Sequence, residues 1–332
     1  MAGALLYGLI RAALLLVAIG FDPSATVDLL LDDAYYYLGI AYNIGHHGFS
    51  SFDGLTETNG YQPAWMLLIA GVESLFRFDK KALFVALQGL IFLVTGLPLL
   101  YCVKRFRDPF YLALAGGLVA GYACYPGVFL FGLETALFAP AVVALAHASR
   151  RGISANVGRA AWIFAAVVWI RLDALSLLLG YGAVLGYQWN KSAGFLATCK
   201  RLGLFVAPST LSLSVYALAN WLIFGVPVPI SGLAKTLGAP AFCNWGIAYY
   251  YLLQGVPMLV AILVVLLVEA LWGKFENARW AYTAIGILLA SLVPHYLYYA
   301  AFSGWIPWPW YFYAHALIVV LDRKSTRLNS SH

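Results

Sequence analysis

A chain of 332 residues with 63% hydrophobic and 10% charged residues departs far from soluble proteins, in which about a quarter of residues are charged. The composition predicts an all-α, polytopic transmembrane helical bundle that absorbs the whole length without splitting into several domains. The formal charge of +6 predicts no nucleic-acid partner. The positives fall in short clusters between apolar runs (Lys104, Arg105 and Arg107; Arg150, Arg151 and Arg159; Lys191, Lys200 and Arg201; Lys274 and Arg279), as in cytoplasmic loops of membrane proteins.

Apolar runs occupy approximately 4–20, 64–78, 82–103, 109–128, 132–148, 160–189, 202–224, 248–272, 280–302 and 310–321. About 20 residues cross a hydrocarbon core of about 30 Å, so about nine or ten spans are expected. Run 4–20 has the length of a signal peptide, but no A-x-A site follows it and Arg11 lies inside it; an uncleaved first span is expected. With the basic loops inside, 109–148 is a hairpin turning outside near Pro126–Glu134, and 82–103 runs from outside to inside. Run 64–78 is short and contains Glu73, which predicts an interfacial helix and not a span. Residues 21–81 are then one long first external loop carrying interfacial helices.

Run 160–189 is interrupted by "RLD", predicting two short spans that turn outside at Arg171–Asp173. The same alternation places 224–245 and 303–310 outside. The final run gives way after about a dozen residues, too few to span, to "DRKSTRLNSSH". Residues 322–332 are expected to be a non-native tail, and 1–321 a membrane domain truncated at its C-terminus.

Polar residues collect on the side predicted to be external. Asp32 and Asp33 stand at the start of a helical segment just beyond the first span. An aspartate there suits an N-cap and the positive helix end, but two together also suit a base, a metal ligand or an acceptor for sugar hydroxyls. Asp53-Gly54 and Asn59-Gly60 are turn dipeptides. His46 and His47 fit a solvated turn better than a metal site. Tyr61-Gln62-Pro63 opens the interfacial segment, with Trp65 as a headgroup-level anchor.

Glu134 lies between spans, where an ionisable group either lines a site or caps the next helix. Arg171 and Asp173 either serve a site or satisfy each other. Lys235 lies in an external loop, where topology bias does not place lysines. His295 and His315 fit neutral histidines within the bundle. "WIPWPWYFY" reads as an interfacial aromatic belt with a share in stacking on sugars or prenyl chains. The cysteines (Cys102, Cys124, Cys199, Cys243) show neither zinc-ligand spacing nor a disulfide framework. No acidic cluster matches a metal-ligand set, so no cofactor is assigned and a divalent cation stays an open alternative.

The blocks "DDAYYYLGIAYNI…G…FDG…TNGYQPAW", "GLETALF", "RLDAL" and "NWLIFGVPVPISGLAKT" resemble, in that order, the GT-C class of membrane glycosyltransferases. Within it they resemble the bacterial lipid-linked arabinose and mannose transferases. The similarity covers most of 1–321. It implies an inner-membrane enzyme that moves a sugar from a polyprenyl-phosphate donor to a glycan, lipid or protein acceptor outside the cytoplasm. It also implies an essential acidic residue in the first external loop. Displacing a phosphate from an anomeric carbon requires a base for the acceptor hydroxyl and positive charge for the departing phosphate. Asp32 is the expected base and Asp33 its support; Lys235 and Arg171 are the expected phosphate contacts. Glu134, Asn59, Tyr61 and His295 complete the expected substrate-binding set. A transporter or lipid-carrier flippase is the alternative, since intramembrane charges and broken helices mark those as well. A non-catalytic membrane scaffold is a third.

Overall fold

The computed structural model describes residues 8, 11, 13, 20, 30–105, 107, 109–124, 129–149, 157–237, 244–253, 260, 275–306, 309–312 and 315. Among these the chain is all-α: there is no strand, only an isolated antiparallel bridge between Ser51 and Glu57. The helices are α1 (Asp32–His47), α2 (Pro63–Phe76), α3 (Lys80–Val103), α4 (Pro109–Cys124), α5 (Phe138–Ser149), α6 (Val157–Ile170), α7 (Leu175–Ala193), α8 (Phe195–Phe224), α9 (Ile230–Thr236) and α10 (Phe275–Phe302). Short 3-10 turns cover Glu134–Leu137, Leu172–Ala174 and Pro309–Phe312. The chain forms two compact units, Met1–Val143 and Ala144–His332.

In the first unit, α1 ends where Gly48 takes a left-handed conformation and its N–H reaches Ile44 O. Proline opens α2, where its missing N–H costs nothing. Asp79 caps α3 by accepting the Ala82 N–H at 2.7 Å. α1 and α2 approach closely at Gly45: a Cβ there would stand 2.6 Å from Glu73 Cγ. Trp65, Met66, Leu87, Ile91 and Leu130 fill the centre of this unit. The buried Arg11 donates to Leu130 O at 2.9 Å and to Gln88 O and Oε1 at 2.9 and 2.8 Å. A charge in the first apolar run is thus met by buried oxygen acceptors.

In the second unit, α6 packs on α8 and α7 packs on both α8 and α10. Phe164, Tyr181 and Phe205 meet at the centre with ring centroids 5.1–5.9 Å apart, the separation at which aromatic pairs attract.

Two helices, α3 with 24 residues and α8 with 30, are long and apolar enough to cross a membrane; at 1.5 Å per residue α8 reaches about 45 Å. α2 and α6 are shorter apolar helices. α3 follows the run at 82–103 closely, and the run at 160–189 breaks at Arg171 as expected. α8 begins before the run at 202, at Phe195, and the run at 132–148 opens as a 3-10 turn. The expected spans at 4–20 and 248–272 lie largely outside the described residues, as do most of 310–321 and all of 322–332.

One reading is corrected. Trp65 is not a headgroup anchor: its side chain is 0% exposed, and its indole Nε1–H donates to Gly132 O at 2.8 Å. Tryptophan is as well suited to a core that offers its N–H a partner as to a wet interface.

Candidate functional site

The first unit carries the acidic pair on an interlocked support. Leu31 N–H donates to Phe131 O at 3.2 Å just before α1 begins. Further along the same helix, Tyr37 Oη donates to Glu134 Oε2 at 3.1 Å and accepts the Gln62 N–H at 3.0 Å. With the Trp65–Gly132 bond, these contacts tie "DDAYYY", "GYQPAW" and "GLETALF" into one piece. Gly132 has φ +96°, and a Cβ on it would lie 2.6 Å from Ala34 Cβ and 3.0 Å from Leu30 Cδ2. Only glycine lets the 129–135 segment lie so close to the start of α1.

Asp32 and Asp33 are exposed at the N-terminal end of α1. Neither is the N-cap: Leu31 occupies that position, and no side chain caps the helix. Asp32 Oδ1 instead accepts the Asp33 N–H at 2.9 Å. Two carboxylates in a first turn are favoured by the helix dipole.

Of the other candidates in this unit, Glu134 and Asn59 are buried. Glu134 belongs to the 3-10 turn before α5, and its carboxylate accepts the Tyr37 hydroxyl from α1. Asn59 supports the turn before α2 through its carbonyl, which accepts the Tyr61 N–H at 2.8 Å. Tyr61 is half-buried, and its hydroxyl accepts from Ser50 Oγ at 3.1 Å; burial pushes its ionisation upward, with the Ser50 hydroxyl opposing.

The loop between α1 and α2 is organised by Asp53. Its Oδ1 accepts the Leu55 and Thr56 N–H groups, each at 2.8 Å, and Ser51 Oγ–H at 3.0 Å. The Thr56 and Leu55 amides, with Ser51, hold this carboxyl down from 3.8 to about 2. A depressed carboxyl stabilises its state above the unfolded value and loses that contribution as pH falls through the folded one. A spin label at Leu55→Cys is therefore expected to keep its mobility from about pH 7 to about pH 4 and to become mobile between about pH 4 and about pH 2.

His46 and His47 lie in the last turn of α1, and no group of three ligating side chains occurs around them among the described residues. His46 Nε2 lies 3.1 Å from Glu73 Oε1 and 2.9 Å from Phe78 O. The carbonyl can only accept, so Nε2 carries a hydrogen. Glu73 is fully buried, and burial raises its carboxyl above the ordinary range.

The second unit gathers Arg171, Asp173, Lys235 and His295, which are far apart in sequence. Arg171 grips Asp173 with two bonds, Nε to Oδ1 at 3.1 Å and a terminal nitrogen to Oδ2 at 2.7 Å. Burial acts to raise the Asp173 carboxyl, but Arg171, with His295 and Lys235 contributing, holds it below its ordinary value. Lys235 lies not in an open loop but on the short helix α9, and Nζ donates to Tyr311 Oη at 2.8 Å. The Arg171 guanidinium stands 4.9 Å and Lys235 Nζ 5.0 Å from the centre of the same Tyr311 ring, within range for cation–π attraction. Tyr299 stacks on Tyr311 with centroids 5.5 Å apart, and Tyr251 Oη lies 2.6 Å from His295 Nδ1.

Tyr311 is the residue that sequence reasoning missed. It sits inside "WIPWPWYFY", which reads as a belt, and nothing local marks one ring of that stretch as the seat for two cations. Comparison of the chain with protein-family models, curated proteins and solved structures found no match.

Proposed function

We propose that the chain is a polytopic membrane glycosyltransferase of GT-C type, transferring a sugar from a polyprenyl-phosphate donor to an acceptor on the outer side of the bacterial inner membrane. The observation that carries the reading is the exposed Asp32–Asp33 pair, held at the end of α1 by a support that joins three of the blocks carrying the resemblance. A general base needs this combination: free access for the acceptor hydroxyl and a fixed position for the carboxylate.

In this reading Asp32 removes the acceptor proton, and Asp33 supports it or binds sugar hydroxyls. In the second unit, Lys235 and Arg171 are the cations proposed to bind a phosphate. Arg171 already shares its charge with Asp173, so Lys235 is the principal cation. Glu134, which accepts the Tyr37 hydroxyl, supports α1, and Asn59 supports the turn before α2. The membrane setting is supported by α3 and α8. Along α8, Leu204, Leu211, Val215, Leu218 and Leu222 are exposed over successive turns, a face suited to lipid.

The test is a reconstituted assay with purified protein and a polyprenyl-phosphate sugar. The reading expects the sugar on the acceptor and free polyprenyl phosphate as the second product. Intact donor carried from one leaflet to the other would favour a flippase and reject the transferase.

A further inference from the structure

Three buried ring nitrogens of the second unit have no role in the transfer chemistry above. His295 and His315 are 3% and 1% exposed, with ring centroids 5.1 Å apart. Tyr251 Oη engages Nδ1 of His295, whereas its Nε2 meets no partner. Neither nitrogen of His315 meets a partner at full hydrogen-bond geometry, and the Phe312 backbone one turn back is the nearest approach to one, leaving at least one ring nitrogen to spare. Histidines buried simply as core residues are expected to satisfy their polar atoms. His315 keeps at least one nitrogen unsatisfied, beside a second ring with a nitrogen to spare.

We propose that His295 and His315 together bind a divalent transition-metal ion of the zinc, copper or nickel class. Neutral imidazole is the commonest protein ligand for such ions. With metal–nitrogen bonds of about 2.0–2.1 Å, two imidazoles on one tetrahedral ion place their ring centres about 5 Å apart, and the observed spacing agrees. Tyr251 takes the outer nitrogen of His295, as the supporting partner of a ligating histidine does.

The surrounding charges are compatible with a cation. The Asp173 carboxylate favours a positive charge at both imidazoles and offsets Arg171, which is paired with it and opposes one at His295; Lys235 is directed at Tyr311. No third histidine, cysteine, aspartate or glutamate ligand joins the pair among the described residues. The described residues thus supply two of the ligands, fewer than the four protein ligands of a structural zinc. This site stands whether or not the chain transfers sugars.

The experiment is a titration of untagged, metal-stripped full chain in detergent with Cu²⁺, followed by electron paramagnetic resonance. Wild type is expected to show one bound ion with hyperfine lines from two imidazole nitrogens. His295→Gln and His315→Gln, which keep size and polarity, are each expected to lose one nitrogen coupling and to bind at least about 10-fold more weakly, and Tyr251→Phe about 10-fold more weakly. His46→Ala with His47→Ala, remote in sequence and in the other unit, should leave the spectrum unchanged, and thermal unfolding checks each variant. Absence of Cu²⁺ binding, a wild-type spectrum without two-nitrogen coupling, or a signal that follows His46 and His47 would overturn the proposal.

Discussion

Asp32→Asn and Asp33→Asn are expected to slow glycosyl transfer by about 10²–10⁴-fold, the range that a positioned base contributes, with at most a small fall in the unfolding temperature. The geometry separates chemistry from folding here. Both side chains are exposed, and neither caps α1. Asparagine keeps the shape and an oxygen to accept the Asp33 N–H, so the local bond at Asp32 survives. What is lost is the ability to take a proton. The loss of negative charge near the helix end costs only about 0.3–1 kcal/mol. If Asp32 is the base, its variant carries the larger loss in kcat, whereas the Asp33 variant moves KM as well. Normal turnover in both single variants and in the double variant would reject the mechanism.

Gly132→Ala is expected to be the most damaging small substitution in the first unit. The new methyl would stand 2.6 Å from Ala34 Cβ while the backbone holds φ at +96°. Overpacking of this kind costs about 1–3 kcal/mol, and a left-handed conformation adds about 1–2 kcal/mol for a residue with a Cβ. Together they predict a loss of about 3 kcal/mol in thermal or denaturant unfolding. Activity should fall further than stability explains, because relieving the clash moves the start of α1 and its carboxylates. Trp65→Phe provides the contrast: it keeps most of the packing and removes the bond to Gly132 O, at about 1 kcal/mol. An alanine variant as stable and active as wild type would show that the 129–135 segment is not a rigid seat for α1.

Much of the helical order was legible in the sequence because it rests on local signals. The apolar run at 82–103 announces α3, Pro63 announces α2, and the polar "RLD" announces the break between α6 and α7. The turn at Asp53-Gly54 was legible for the same reason, since a carboxylate two and three residues ahead of free amides closes such a loop. The site was legible as a set of residue types but not as an arrangement. Lys235 meets Tyr311 across 76 positions of chain, and Tyr37 meets Glu134 across 97; no periodicity encodes such pairs. Trp65 went wrong because an indole suits both a wet interface and a core with a carbonyl to spare. Only the backbone of Gly132 decides between them. Glu134 reads as a site residue, and its carboxylate accepts the Tyr37 hydroxyl from α1.

The central claim is that the acidic end of α1 faces the outside of the cell, and one labelling measurement addresses it. Tyr36, one turn from the aspartates and 52% exposed, can be changed to cysteine in a background without Cys102, Cys124, Cys199 and Cys243, leaving both carboxylates intact. A membrane-impermeant maleimide added to intact spheroplasts is predicted to label Tyr36→Cys at once, with no gain after permeabilisation. Labelling that begins only when the inner membrane is opened would put the carboxylates in the cytosol and contradict the account.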